Sequence, residues 1–312
     1  MSFLKRIKNW YYIILKVKSR ILVGRPVLVL MYHRINDEIG QKLAGLTVSV
    51  ANFEEQLQYF KKHFQIVRLE EDWTSLKKTG LVLTFDDGYA DNLWNALPLL
   101  EKYGIPATLF ITTLNSNTTD EFWWDRLVFD YYAASVFFFM PGFEGKTSKK
   151  DYTYDSCVEI VSKLKNEDRN KWFLEFELIN NISYKSRQAY RSLTQAELKL
   201  ASEHPLISIG FHTHHHYALG DLSFKEQKEE LLLSIHQLEK RVSNNIKYLA
   251  LPFGSYNKDT LVIAEEVGFK GVLLANDYYS NQKNKAGKKI NRIIMPNIKD
   301  EEMINRLKNF DC

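Results

Sequence analysis

The sequence predicts an α/β fold built on a mainly parallel sheet, and three observations carry that prediction. From Arg25 onward, short apolar runs of strand length alternate with segments of helical period. Several helical segments bring their own capping or terminating residues. The 312 residues, 45% hydrophobic and 26% charged, have ordinary globular composition and suffice for a large core without staples.

The first apolar run is PVLVLMYH, residues 26–33, followed by the helical pattern NFEEQLQYFKKHF, where Asn52 is the expected cap with Glu55 three residues on. The strand QIVRL comes next, then LVLTF at residues 81–85. The helix ADNLWNALPLLEKYG ends at Gly104, a residue suited to a left-handed helix end, and IPATLFIT supplies another strand. Residues 115–191 break this rhythm. Rich in aromatic residues at EFWWDRLVFDYYAASVFFF and too long for a connection, they predict a largely helical insertion. The alternation resumes with LISIGF, the helix FKEQKEELLLSIHQLEKRV, the strand YLALPF, the helix DTLVIAEEV, the strand FKGVLLA and a final RIIMP before a terminal helix.

Charge is unevenly distributed. Residues 1–25 hold seven basic residues and no acid, so by subtraction from the net +4 the rest of the chain stands at −3. A folded body without basic excess argues against nucleic acid as a partner. Within the basic segment, Phe3, Ile7, Trp10, Ile14, Val17 and Ile21 recur at steps of four and three, the stripe of an amphipathic helix. Its unbroken apolar run is far shorter than the roughly 20 residues of a membrane span, and no signal-peptide cleavage pattern follows. The expectation is a cytoplasmic protein with a helix over residues 1–25 whose first 22 residues either contact an anionic membrane surface, making the protein peripheral to the inner face of the membrane, or pack against their own domain. Cys157 and Cys312 form neither a disulfide framework nor a CxxC metal signature, which fits a reducing compartment.

Four strands run into polar chemistry at their carboxyl ends. PVLVLMY meets His33, LVLTF meets Asp86 and Asp87, LISIGF meets the cluster HTHHH, and YLALPF meets GSYN. Ligands of parallel α/β sheets gather at those ends, so the four segments are expected to converge on one site. Adjacent carboxylates at a strand end can serve different tasks if the backbone turns between them, and a mixed set of imidazoles and one carboxylate is a catalytic metal pattern. Alternatively, the aspartates cap a helix and the histidines lie in a solvated loop; spacing leaves open which histidines would bind.

TFDDG followed by HTxxH resembles the NodB-type polysaccharide deacetylases, carbohydrate esterase family 4, over most of residues 26–296. The opening strand with its terminal histidine and the LxVSxxNFEEQL stretch resemble more particularly the poly-N-acetylglucosamine deacetylase branch. The resemblance implies a distorted (β/α)7-type barrel over residues 26–312, interrupted by the insertion. It also implies Asp86 as general base, Asp87, His212 and His216 as ligands of a divalent metal, and His33 as general acid. Zinc suits that ligand set, as would cobalt, nickel or iron. On the substrate side fall Pro252, Phe253 and Gly254, with the last two offering backbone amides to an oxyanion, and Trp124 as a sugar platform. Most of the wider family has an arginine where this chain has Ala250, and Arg126, placed with Trp124 on the substrate side, is a candidate substitute; the alternative for both is an ordinary amphipathic helix with buried aromatics. His214 and His215 are surplus, and Thr213 supports the loop.

The function implied is metal-dependent removal of an N-acetyl group from an N-acetylhexosamine unit of a polysaccharide or lipid-linked glycan, in cell-envelope glycan biosynthesis. The alternatives are a deformylase or O-deacetylase using the same site, or a carbohydrate-binding relative without catalysis.

Overall fold

The structure is a computed structural model describing residues 24–39, 44–116, 118–134 and 152–308. The helix expected over residues 1–25 therefore falls, up to residue 23, outside the described residues. Strand β1 (Val27–Tyr32) passes through His33 into β2 (Arg34–Ile35), which pairs with β3 (Thr47–Val48). Helix α1 (Val50–His63) is capped by Ser49, not Asn52: the Ser49 side chain accepts from the Asn52 N–H, while the Asn52 side chain donates to Asn297. The serine lies outside the apolar period and was hidden by the more conspicuous Asn-x-x-Glu pattern.

Strands β4 (Gln65–Ile66) and β5 (Gly80–Phe85) precede a π-type turn over Asn92–Ala96, which runs into α2 (Leu97–Tyr103). That helix ends on Gly104 at φ 64°, and β6 (Ala107–Ile111) follows. Helices α3 (Trp123–Ala133), α4 (Tyr154–Ser162), α5 (Asn166–Asn180) and α6 (Gln195–Glu203) separate β6 from β7 (Ile207–Phe211). Leu127, Cys157, Val161, Trp172, Phe173 and Phe176 give three of these helices a small core of their own. The chain closes with α7 (Phe224–Glu239), β8 (Asn245–Ala250), α8 (Lys258–Glu266), β9 (Gly271–Leu273), α9 (Gln282–Ala286), β10 (Lys289–Ile290), β11 (Ile293–Ile294) and α10 (Asp300–Lys308). Among the described residues no helix is long and apolar enough to cross a membrane.

One curled parallel sheet runs β10-β9-β8-β7-β6-β5-β1-β11, with β4 added beside the start of β5. Its end strands are not paired with each other among the described residues, so the distorted barrel stays open on one side. Alternation along each strand divides the side chains between two cores. Leu28, Leu30, Leu81, Leu83, Leu109 and Ile209 pack under the helices, whereas Val27, Val29, Val82, Phe110, Ala250 and Ile290 fill the inside of the curl. Gly210 makes room for the latter: a Cβ there would fall 2.5 Å from the Phe110 ring. Because all nine strands point the same way, their carboxyl ends share one rim, and the predicted polar segments sit along it.

Candidate active site

On β5 the inward parity of Val82 and Thr84 continues to Asp86. Asp87 would point the other way, but its φ of 72° and that of Gly88, 90°, turn the chain sharply and keep the second carboxylate at the site. His212 follows the inward parity of Gly210 on β7. Thr213 and His216 also take left-handed backbone, at φ 62° and 57°, and the His216 N–H donates to Thr213 Oγ1 at 3.1 Å. Non-glycine residues in this region are strained, and their gathering here shows that surrounding contacts over-determine the loop.

The turns bring His212 Nε2 and His216 Nε2 each to 3.3 Å from Asp87 Oδ1. One donor atom from each of the three buried residues lies within 4.8 Å of the others. Asp87 Oδ1 is buried and has no hydrogen-bond partner. His212 Nδ1 lies 2.9 Å from the Ala250 carbonyl, which can only accept, so Nδ1 carries the proton and Nε2 presents its lone pair inward. An orphaned carboxylate oxygen facing two imidazole nitrogens fits a divalent metal by donor chemistry and geometry.

The other two histidines of the cluster turn elsewhere. His214 Nδ1 meets Thr113 Oγ1 at 2.8 Å, and burial pushes its pKa down to about 4. His215 Nδ1 is held at 2.7 Å by Glu230 of α7, which also accepts from the backbone N–H groups of His214 and His215. Glu230 thus pins the loop from below, a role no local motif announced.

Asp86 is gripped by Arg292, whose Nη1 and Nη2 reach its two oxygens at 2.6 and 2.7 Å. The candidate substitute, Arg126, is elsewhere: it pairs with Glu177 at 2.6 Å and lies against the Phe173 and Tyr184 rings. Arg292 immediately precedes β11, and β11 pairs with the end of β1, Leu30 opposite Ile293. That register sets Arg292 inside the curl below the rim, from where its side chain extends upward past Thr84 and the Leu274 carbonyl. Burial pushes the Asp86 carboxyl up, but the charges of Arg292 and His212 outweigh it and hold the group below the usual carboxylate range. For Asp87 burial is likewise outweighed, by the two imidazoles beside it.

These groups open into a cavity of about 590 Å³ that also takes in His33, Trp123, Trp124, Phe253 and Gly254. Asn92, from the same stretch as the paired aspartates, donates to the His33 carbonyl at 2.8 Å and fixes the turn that carries that histidine. Phe253, 53% exposed at φ 57°, meets His216 in a T-shaped contact with ring centroids 4.8 Å apart. Pro252 is buried beneath the loop, and the Gly254 N–H is already donated to Leu251 O at 2.9 Å. The expectation of two oxyanion amides is corrected for Gly254, whose N–H the 3-10 turn that shapes the loop already consumes.

Trp124 is a wall, not an open platform. It is 6% exposed, stacks on Phe122 and faces His216 at 4.5 Å. Its Nε1 donates to the Tyr89 hydroxyl at 2.7 Å, which donates to Asp125 Oδ2 at 2.7 Å. Burial raises the Asp125 pKa to about 8 despite Arg34 and the Tyr89 bond. The folded protein thus keeps a proton that the unfolded chain, with a carboxyl pKa near ~3.9, releases, so this residue's contribution to stability declines as pH rises from about 4 to about 8. Asp125→Asn cannot release that proton and can still accept from Tyr89. Between about pH 5 and pH 8 the melting temperature of the wild type is expected to fall more than that of the variant; parallel curves would refute the assignment.

The fold carries aspartates, histidines and an arginine along one rim of a parallel α/β sheet, and comparison with known proteins places the chain. The polysaccharide deacetylase family model matches residues 74–272, and the chain belongs to that family. The Bacillus subtilis protein YxkH, named as a putative polysaccharide deacetylase, is 24% identical over 249 residues, 78% of this chain and 62% of YxkH. The chain thus spans less than two thirds of that relative's length. Among solved structures, the Streptococcus pyogenes deacetylase PplD in complex with acetate superposes with TM-score 0.60 at 21% identity, covering 90% of this chain and 97% of PplD. IcaB from Ammonifex degensii gives TM-score 0.60 at 16% identity, covering 93% and 98%. Both share the fold.

Proposed function

We propose that this protein is a metal-dependent N-deacetylase acting on an N-acetylhexosamine unit of a polysaccharide or lipid-linked glycan of the cell envelope. The observation that carries the reading is the juxtaposition of an orphaned Asp87 Oδ1 between two imidazole Nε2 atoms with a second carboxylate, Asp86, held ionised by Arg292. A divalent metal bound by Asp87, His212 and His216 would supply Lewis-acid polarisation of the amide carbonyl and a water of lowered pKa. Zinc is the metal we favour, on the two-nitrogen, one-carboxylate donor set.

The chain's own groups do the rest. Asp86 takes the proton from the attacking water as the new C–O bond forms, and Arg292 keeps its carboxylate aimed. The Phe253 N–H donates to the developing oxyanion. His33, at the carboxyl end of the neighbouring strand β1 and in the same cavity, gives a proton to the nitrogen as the C–N bond breaks, leaving acetate and a primary amine. The largely apolar cavity wall, including Met31, Leu46, Val158 and Ile294, supports a substrate with an apolar portion, and the basic amphipathic pattern of residues 1–22 supports a membrane-surface location for it.

Mass spectrometry of free and lipid-linked N-acetylated oligosaccharides is expected to show loss of one acetyl group, abolished by chelation and restored by zinc. Asp87→Ala, His212→Ala and His216→Ala should lose bound metal, whereas His214→Ala should retain it. Metal lost from His214→Ala but kept by His216→Ala would refute the ligand set.

A further inference from the structure

A second cavity of about 290 Å³ adjoins the catalytic one, and Trp123, Trp124 and His216 belong to the walls of both. Two charged residues of its wall are answered by opposite charges: Arg126 meets Glu177 at 2.6 Å, and Glu121 meets Arg187 at 2.6 Å. Arg169, also of the wall, is not. It is 1% exposed, and its Nε and Nη2 donate only to the backbone carbonyls of Val161, Ser162 and Leu164, at and just past the end of α4. Those carbonyls solvate the guanidinium, and it caps their helix, but they bring no net charge. Among the described residues Nη1 makes no hydrogen bond and no carboxylate pairs with the group. Burial lowers its pKa only to about 10, so it stays a cation at neutral pH.

The neutral groups of the wall point to the same kind of ligand. The Trp123 ring lies 4.5 Å from the Arg169 guanidinium, and its buried Nε1 has no acceptor. The side-chain amides of Asn166 and Asn170, in the first turns of α5, have no partner among the described residues. Donors are left over while the Glu121 carboxylate is consumed, a surplus that fits a group made of acceptors. Asp120 of the wall is exposed, as are Glu167 and Asp168 beside Arg169 in sequence, and water screens all three. We propose that this cavity is an oxyanion site holding a phosphate group borne on the anomeric oxygen of the acetylated sugar, an inference that rests on the deacetylase reading above. In a 2-acetamido sugar the amide and the anomeric oxygen stand on adjacent carbons. A phosphate there lies close beside the reacting carbonyl, as two cavities with a common wall require, and a glycosyl phosphate is the preferred substrate.

The test compares kcat/KM of the metal-loaded enzyme for N-acetylglucosamine 1-phosphate and for N-acetylglucosamine. The wild type should favour the phosphate by about tenfold or more, the effect of a hydrogen bond to a charged group. Arg169→Gln removes the cation, and Asn166→Asp/Asn170→Asp sets two negative charges into the wall; each should lose that preference. The asparagines are at least partly exposed, so the second variant should fold even where the buried arginine is needed for folding, and unchanged thermal melting checks it. A wild type without preference, or a preference that the asparagine variant keeps because the phosphate meets the metal instead, overturns the site. Calorimetry with glucosamine 1-phosphate, glucosamine and inorganic phosphate needs no turnover. Glucosamine 1-phosphate bound about tenfold more tightly than glucosamine, and weakened in the asparagine variant, supports the site even if no sugar releases acetate, a result that would count against the deacetylase reading alone. Inorganic phosphate bound as tightly as glucosamine 1-phosphate, with no preference in turnover, would make the free ion the ligand and overturn the placement on the sugar.

Discussion

Asp86→Asn is expected to lower acetate release by about 10²- to 10⁴-fold, the range for loss of a positioned general base, while bound metal remains at the wild-type level. The separation follows from geometry. The three metal-directed atoms belong to Asp87, His212 and His216, and Asp86 reaches none of the metal-directed positions except as a neighbour 4.0 Å from His212 Nε2. Asparagine keeps the size of the side chain and one acceptor for Arg292, so the rim should hold its shape while losing the group that takes the proton. Metal analysis and kcat/KM on the same preparation check both halves. Activity within tenfold of the wild type would remove Asp86 from the proposed role.

Arg292→Ala is expected to act on folding and turnover together. Asp86 is 2% exposed, and removing its partner leaves a buried carboxylate uncompensated, which typically costs about 3–5 kcal/mol. Misplacement of the carboxylate should also lower kcat by about 10²-fold. Arg292→Lys restores the charge without the planar fork and should recover stability better than rate. The decisive comparison is a double-mutant cycle by denaturant unfolding. Asp86→Asn should cost much less stability in the Arg292→Ala background than in the wild type, or even restore some, because it removes the unpaired charge. Strictly additive effects would show that the two residues do not act as a pair.

The difference between these two residues marks how far the sequence reaches. Asp86, Asp87, His33, His212 and His216 were legible because each directly follows a recognisable strand or its tight turn, and parallel strands carry such positions to a common rim. The family resemblance chose His212 and His216 from the cluster. The structure supplies a physical reason for that choice: His212 keeps the inward parity of its strand and is tautomer-locked by Ala250, whereas His214 and His215 are drawn away by Thr113 and Glu230. Local stretches could not show these partners, since Glu230 lies on the following helix and Thr113 follows a different strand.

Arg292 was the larger omission. It sits 206 positions from Asp86 in sequence, before a strand of only two residues, and its importance depends on the register of β11 against β1. Arg126 looked equally eligible as a string of letters, but helix α3 gives it to Glu177. What the sequence determined by itself was the alternation of strands and helices, the residues at strand ends and hence the chemical inventory of the rim. What only the tertiary structure decided was which arginine holds Asp86, which loop amide is already used, and that Trp124 is buried against His216. Those choices arise from register, left-handed turns and competition for hydrogen bonds between distant segments, which exist only once the sheet has curled.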